Sequence, residues 1–206
     1  RVMQSSTGGF VPTQAAHIRD SALGGSCHTL YTTERGAGSK VIGRLPEQMP
    51  YLEWKHSSYY NRQSCQDCHM PQVNEATRIS SVYGPLRDGM HRHVFVGGNV
   101  LLARVLNEHR EDLAVQALPG ELDGILKRTT DFLQSQSTRV SVTGVRITGQ
   151  GLDFAVRVEN LTGQKMPTAF PSRRAWLHGV VRDAGGRTIF ESGALRPDGS
   201  IVGNDN

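Results

Sequence analysis

Large apolar side chains are scarce in this chain. Of its 206 residues 37% are hydrophobic and only 6% aromatic, a thin supply for a self-sufficient core of that length. A bulky apolar prosthetic group fills such a deficit; a loop-rich architecture is the alternative. No run of 18 apolar residues occurs, so no stretch has the length of a membrane-spanning helix. Lys and Arg number 23 against 19 Asp and Glu, and they are scattered, which leaves no basic stripe for nucleic acid. No Ser-His-Asp order, phosphate-cradling glycine loop or paired-carboxylate pattern rises above background. The cysteines are three, Cys27, Cys65 and Cys68, an odd count that argues against a disulfide framework. No signal peptide is visible. The chain opens on Arg1 and closes on the turn-like DGSIVGNDN, so a processed protein or an internal piece of a longer one is expected.

What the chain does have is histidine, unevenly placed. His17, His28, His56, His69, His91, His93 and His109 precede residue 110, as do all three cysteines; His178 alone follows. The first 97 or so residues carry no long amphipathic pattern, and a segment of that kind is ordinarily disordered unless a cofactor organises it. Two helical patterns follow. GNVLLARVLNEHREDL places Leu102, Val105, Leu106, His109 and Leu113 on one face, with Asn99 as its cap. PGELDGILKRTTDFLQSQ has Pro119 in its first turn and Leu122, Ile125, Leu126, Thr129 and Leu133 as its inward stripe. From residue 138 the period is two. RVSVTGVRIT alternates, then changes phase at Gly144, which predicts a bulge. LDFAVRVEN alternates through Leu152, Phe154, Val156 and Val158. RAWLHGVVRD and RTIFES predict a hairpin across Ala184, Gly185 and Gly186. Short strands with glycine turns point to a small, incomplete β-sandwich.

The strongest chemical signal is SCQDCHMPQ. Cys65-x-x-Cys68-His69 is the attachment pattern of a c-type haem: two thiols add to the two vinyl groups of the porphyrin, and the next residue brings an imidazole to the iron. Chance supplies this pattern in roughly a few chains per thousand of this composition. Half of a tetrahedral zinc site is the competing reading, with Cys27-His28 as the other half. LGGSCHTLYT ends its own motif in Cys27-His28, but Gly24 occupies the first cysteine position. The expectation is a second haem site held by one thioether through Cys27, with His28 as its proximal ligand; a site that has lost its haem is the alternative.

HIRDSALGGSCHTLYT, LPEQMPYLEWKHSSYY, CQDCHMP and HRHVFVGGN together resemble a recurrent arrangement in large multihaem c-type cytochromes of bacteria. VENLTGQKMPTAFPSRRAWLH resembles the β-sandwich module that often follows in that family. The resemblance spans most of residues 11 to 206. It implies a mixed fold: a loop-rich, partly helical multihaem cytochrome c domain over residues 1–137, including the two helices, then a small Ig-like β-sandwich over 138–206. It also implies two haem c groups in this chain and two histidines per iron. His69 and His28 are then proximal, and His17, His56 and His93 are the favoured distal ligands. Three distal candidates exceed two haems, so one is expected to serve a haem on another segment. His91, His109 and His178 are read as structural. The chain departs from the family pattern at Gly24 and at Gln164, where similar sequences carry cysteine and histidine.

These features imply electron transfer through bis-histidine haems. The alternative is a multihaem oxidoreductase with one open iron, acting on a small nitrogen or sulfur compound. A redox partner protein or a further haem-bearing segment or subunit is implied, as is membership of a larger assembly. Haem is attached to such motifs after export, which implies a periplasmic, cell-surface or extracellular location. Minor candidates are Trp54, Tyr59 and Tyr60 against a haem face, Arg173 and Arg174 against propionates, and RPDGS and GNDN as calcium-binding oxygens or turns.

Overall fold

A computed structural model describes residues 8–11, 13–79 and 84–203. The fold is mixed and loop-rich, with five α-helices and four separate two-stranded antiparallel sheets among the described residues. In chain order these are α1 (Ser21–Gly25), β1 (Leu30–Arg35), β2 (Val41–Gln48), α2 (Pro50–Lys55), α3 (Cys65–His69), β3 (Thr77–Arg78), β4 (Leu86–Arg87), α4 (Val100–Glu108), α5 (Pro119–Phe132), β5 (Thr138–Thr148), β6 (Gly151–Asn160), β7 (Gly179–Arg182) and β8 (Thr188–Ser192). Each sheet joins sequence neighbours: β1 with β2, β3 with β4, β5 with β6, and β7 with β8. No described helix is long and apolar enough to cross a membrane.

The glycine phase shift acts as its sequence predicts. Val140 faces Val158 and Val142 faces Val156; the register then slips between Thr143 and Arg146, with Gly144 at φ 63°. That is the left-handed backbone a bulge asks of glycine. The β7–β8 turn also forms where expected. The Asp183 carboxylate accepts from the Gly185 and Arg187 amides, and Gly186 takes φ 83°. β7 begins only at Gly179, so Trp176 and His178 precede the strand. His178 Nε2 lies 2.8 Å from a Glu191 carboxylate oxygen, in keeping with a structural role.

The helices are shorter than their patterns. The Asn99 side chain caps α4 through the Leu102 amide at 3.1 Å, but the helix stops at Glu108, and the backbone turns left-handed at Ala114. Leu113 therefore falls outside it, and Leu102 and Leu106 remain exposed, so the apolar face predicted for this helix is not buried. α5 keeps its stripe better. Pro119 opens it, Glu121 accepts from the Leu118 amide at 2.8 Å, and Leu122 and Thr129 are buried.

The interior is small. Val96 and Leu122 are the only buried aliphatic side chains among the described residues. The chain exposes 16171 Å², where a compact monomer of this size exposes about 9,500 Å². Cross-chain polar bonds do much of the holding. Tyr59 donates to Leu161 O at 2.7 Å, and the Glu53 carboxylate accepts from the Lys165 amide at 3.0 Å and from the Thr168 hydroxyl. These bonds tie α2 and the loop after it to the segment following β6. Truncating Leu122 to Ala is expected to cost about 2 kcal/mol or more, while Leu102→Ala costs less than about 0.5 kcal/mol. Chemical denaturation of the two variants measures the difference.

Candidate functional site

α3 is one turn long and owes its start to a reciprocal cap. The Ser64 hydroxyl accepts from the Asp67 amide at 3.2 Å, and the Asp67 carboxylate accepts from the Ser64 amide at 2.8 Å. On such a turn Cys65 and Cys68 are three residues apart and share a face, and His69 closes the helix. All three cysteines are free. Partial desolvation raises the Cys68 thiol above its usual range, and the Asp67 carboxylate and Cys65 raise it further.

His69 is held most tightly. Its Nδ1 lies 2.5 Å from Val96 O, and the Val96 amide donates to His69 O at 3.2 Å. A carbonyl only accepts, so Nδ1 carries the proton and the Nε2 lone pair is left for a metal. Val96, one of the two buried aliphatic residues, thus grips both the ring and the backbone of this histidine.

The second motif sits beside the first. Asp20 caps α1 through the Ala22 amide at 2.8 Å. The chain winds on past Gly25, and the Cys27 and His28 amides both donate to Gly24 O. Ser21, at 2% exposure, accepts from the Cys65 amide through its hydroxyl at 3.0 Å. Gln66, between the two anchors, donates to Ile18 O at 2.9 Å and to Asp20 O at 3.1 Å. Ser21 thus ties the start of the helix that leads to Cys27 directly to Cys65.

Gly24 and Gly25 are not equivalent. A Cβ at Gly25 meets the Tyr51 ring at 2.7 Å, whereas one at Gly24 meets nothing within 4 Å. Close packing demands glycine at 25 and leaves 24 free to carry a side chain, a thiol included.

The remaining candidates divide. His17 is exposed in a 3₁₀ turn, Ala16–Arg19, that Gln66 ties to α3 through Ile18 O. His56 caps the end of α2 and lines a cleft of 560 Å³ together with Tyr31, Leu52, Glu53, Gln164 and Lys165. His56 and Gln164, the second departure from the family pattern, thus share one cleft. His93 is exposed beside the Phe95 ring, 5.9 Å between centroids. His109 pairs with Asp112 at 3.7 Å. Trp54 donates to Gln63 O at 2.9 Å and packs on Tyr51 and Tyr60, and Tyr59 is spent on Leu161, so these aromatics have structural work. Arg174 lies over the Trp176 ring and donates to Gly199 O. Arg173 approaches Gly98, near the segment that holds His69. Asp198 accepts from the Ser200 amide and hydroxyl, so RPDGS forms a turn. Residues 204–206 of GNDN lie outside the described residues.

Sequence reasoning passed over His91. Its Nδ1 lies 2.6 Å from Met70 O, the same use of a carbonyl that orients His69. No local pattern marks it, because the partner is a backbone oxygen brought in by the fold. Among the described residues no three of His, Cys, Asp and Glu gather as a metal-ion site, so the four-donor arrangement of the zinc reading is not pre-assembled. The donor set fits haem c: paired free thiols on one turn, and an adjacent imidazole with its tautomer set. No family model, curated protein or solved structure matches the chain.

The glycine pair gives a direct test. Gly24→Cys is expected to fold like the parent, while Gly25→Ala loses about 1–3 kcal/mol to the Tyr51 clash. Thermal melting followed by circular dichroism distinguishes them.

Proposed function

We propose that the chain carries electrons through c-type haems held at Cys65-x-x-Cys68-His69 and, by one thioether, at Cys27-His28. The observation that carries this reading is the His69 imidazole, pinned through Nδ1 to Val96 O beside two free thiols, with Nε2 left to ligate. A haem bound there supplies a one-electron iron couple. Cys65 and Cys68 anchor it by adding S–H across its vinyl groups, which needs no oxidant. The Val96 carbonyl draws on the Nδ1 proton, makes Nε2 more basic and favours the ferric state. The Ser21–Cys65 bond supports the reading by tying the helix that leads to Cys27 to the turn that carries the other motif. His17, His56 and His93 remain the distal candidates.

In this reading the unpaired hairpins β5–β6 and β7–β8 are parts of a β-sandwich completed elsewhere, the chain belongs to a multihaem cytochrome, and it works with a redox partner in the periplasm, at the cell surface or outside the cell. A second reading, an oxidoreductase with one open iron acting on a small nitrogen or sulfur compound, draws on Gln164. A carboxamide stands in the His56 cleft, where the related pattern has histidine, and it ligates iron poorly.

Intact mass of the protein matured with haem is expected to show two covalent haems, with low-spin ferric spectra unchanged by cyanide or nitrite. A protein with no covalent haem overturns the proposal. One with a single haem removes the one-thioether site. Ready binding of cyanide at one iron, with turnover of nitrite or a similar compound, favours the oxidoreductase. In Gly24→Cys, a second thioether at the Cys27-His28 site is expected to move the pyridine haemochrome band to shorter wavelength, with no change in mass attributable to added haem.

A further inference from the structure

Residues 69–73 and 90–96 run antiparallel. The Val73 amide donates to Met90 O at 2.8 Å, the Arg92 amide to Pro71 O at 3.0 Å and the Val96 amide to His69 O, and Gln72 faces His91 across a bridge. Each segment carries one imidazole that is fixed by a carbonyl of the other: His69 by Val96 O at 2.5 Å, His91 by Met70 O at 2.6 Å. Both rings are half-buried. In both the carbonyl assigns the proton to Nδ1, and Nε2 has no partner among the described residues. The other histidines lack this signature. His178 uses Nε2 on Glu191, and His109 Nδ1 stands 3.7 Å from the Asp112 carboxylate, too far for a hydrogen bond. The rings of His17, His28, His56 and His93 make no hydrogen bond among the described residues.

We propose that His91 is an axial ligand of a haem iron, coordinating through Nε2 with its ring set by Met70 O. The inference rests on the haem reading above. Metal-bound histidines characteristically spend the second ring nitrogen on an oxygen acceptor, which sets tautomer and orientation before the metal arrives. His91 has that arrangement in the same ladder as His69, and His93, two residues on, does not. The iron is that of the Cys65–Cys68 haem or that of a neighbouring one; the ligation chemistry is the same.

The test uses the full chain matured with haem. Covalent haems are counted by intact mass in the parent, His91→Gln, His91→Ala and His178→Gln. Glutamine keeps a polar side chain of similar reach but is a weak iron ligand, and recovery of the low-spin state with added imidazole guards against misfolding. The expected result is an unchanged haem count in every variant. One haem equivalent is expected to pass from low-spin to high-spin ferric in both His91 variants, to bind cyanide, and to return to low-spin on adding imidazole. His178→Gln keeps the parent spectrum. Repeating His91→Gln in a Cys27→Ala background identifies the iron: a persisting change assigns it to the Cys65–Cys68 haem, a vanishing one to the haem at Cys27. A His91→Gln protein with the parental haem count, fully low-spin and inert to cyanide, overturns the inference. A parent with no covalent haem overturns the underlying reading instead.

Discussion

The reciprocal grip between His69 and Val96 is the constraint on which the rest turns. Val96 donates its amide to His69 O and accepts from the ring through its carbonyl. The two bonds join a one-turn helix to a segment nearly thirty residues downstream, and they do so around one of the few buried side chains. In water an imidazole of this kind samples many orientations and both tautomers. Here one oxygen atom selects a single tautomer and a single rotation. The residues that follow Val96 are also placed by it: Gly98 passes close to Arg173, and Asn99 caps α4.

Around this grip the architecture is built from tethers more than from packing. The Ser21 hydroxyl on the Cys65 amide, Gln66 on the turn that holds His17, Tyr59 on Leu161, and Glu53 on the segment after Gln164 are all polar tethers of one or two bonds between distant parts of the chain. A bond of this type contributes only about 1 kcal/mol net, far less than a well-filled core. The exposed valines of β5 and β6 and the exposed leucines of α4 leave much apolar surface uncovered. In the proposed reading the haem groups contribute apolar contact to this small interior as well as chemistry.

Legibility in the sequence followed the range of the interactions. The Gly144 bulge, the Asp183–Gly186 turn, the Asn99 cap and the buried stripe of α5 are all set within a few residues, and the sequence announces each. The β1–β2 hairpin was not anticipated, although Thr32, Thr33, Val41 and Ile42 flank a glycine-containing turn with Gly38 at φ 66°; the surrounding prolines and tyrosines hide its alternation. The apolar face of α4 misled, because periodicity records a face suited to burial and cannot say whether anything covers it. Within the site, Cys65, Cys68 and His69 were legible as a local motif. The distinction among the remaining histidines was not. The carbonyls of Val96 and Met70 that orient His69 and His91 belong to no side chain, so no pattern of residue types encodes them.

The empty space beside Gly24 has an evolutionary meaning. Two of the glycine codons become cysteine codons by a single base change, and the backbone there has ordinary geometry with no neighbour in the way. In the proposed haem reading, passage between one and two anchoring thiols therefore crosses no barrier of folding. Selection on how firmly a prosthetic group is retained can act at this position by itself, with the scaffold indifferent to the outcome. At Gly25, one residue on, the Tyr51 ring closes that freedom.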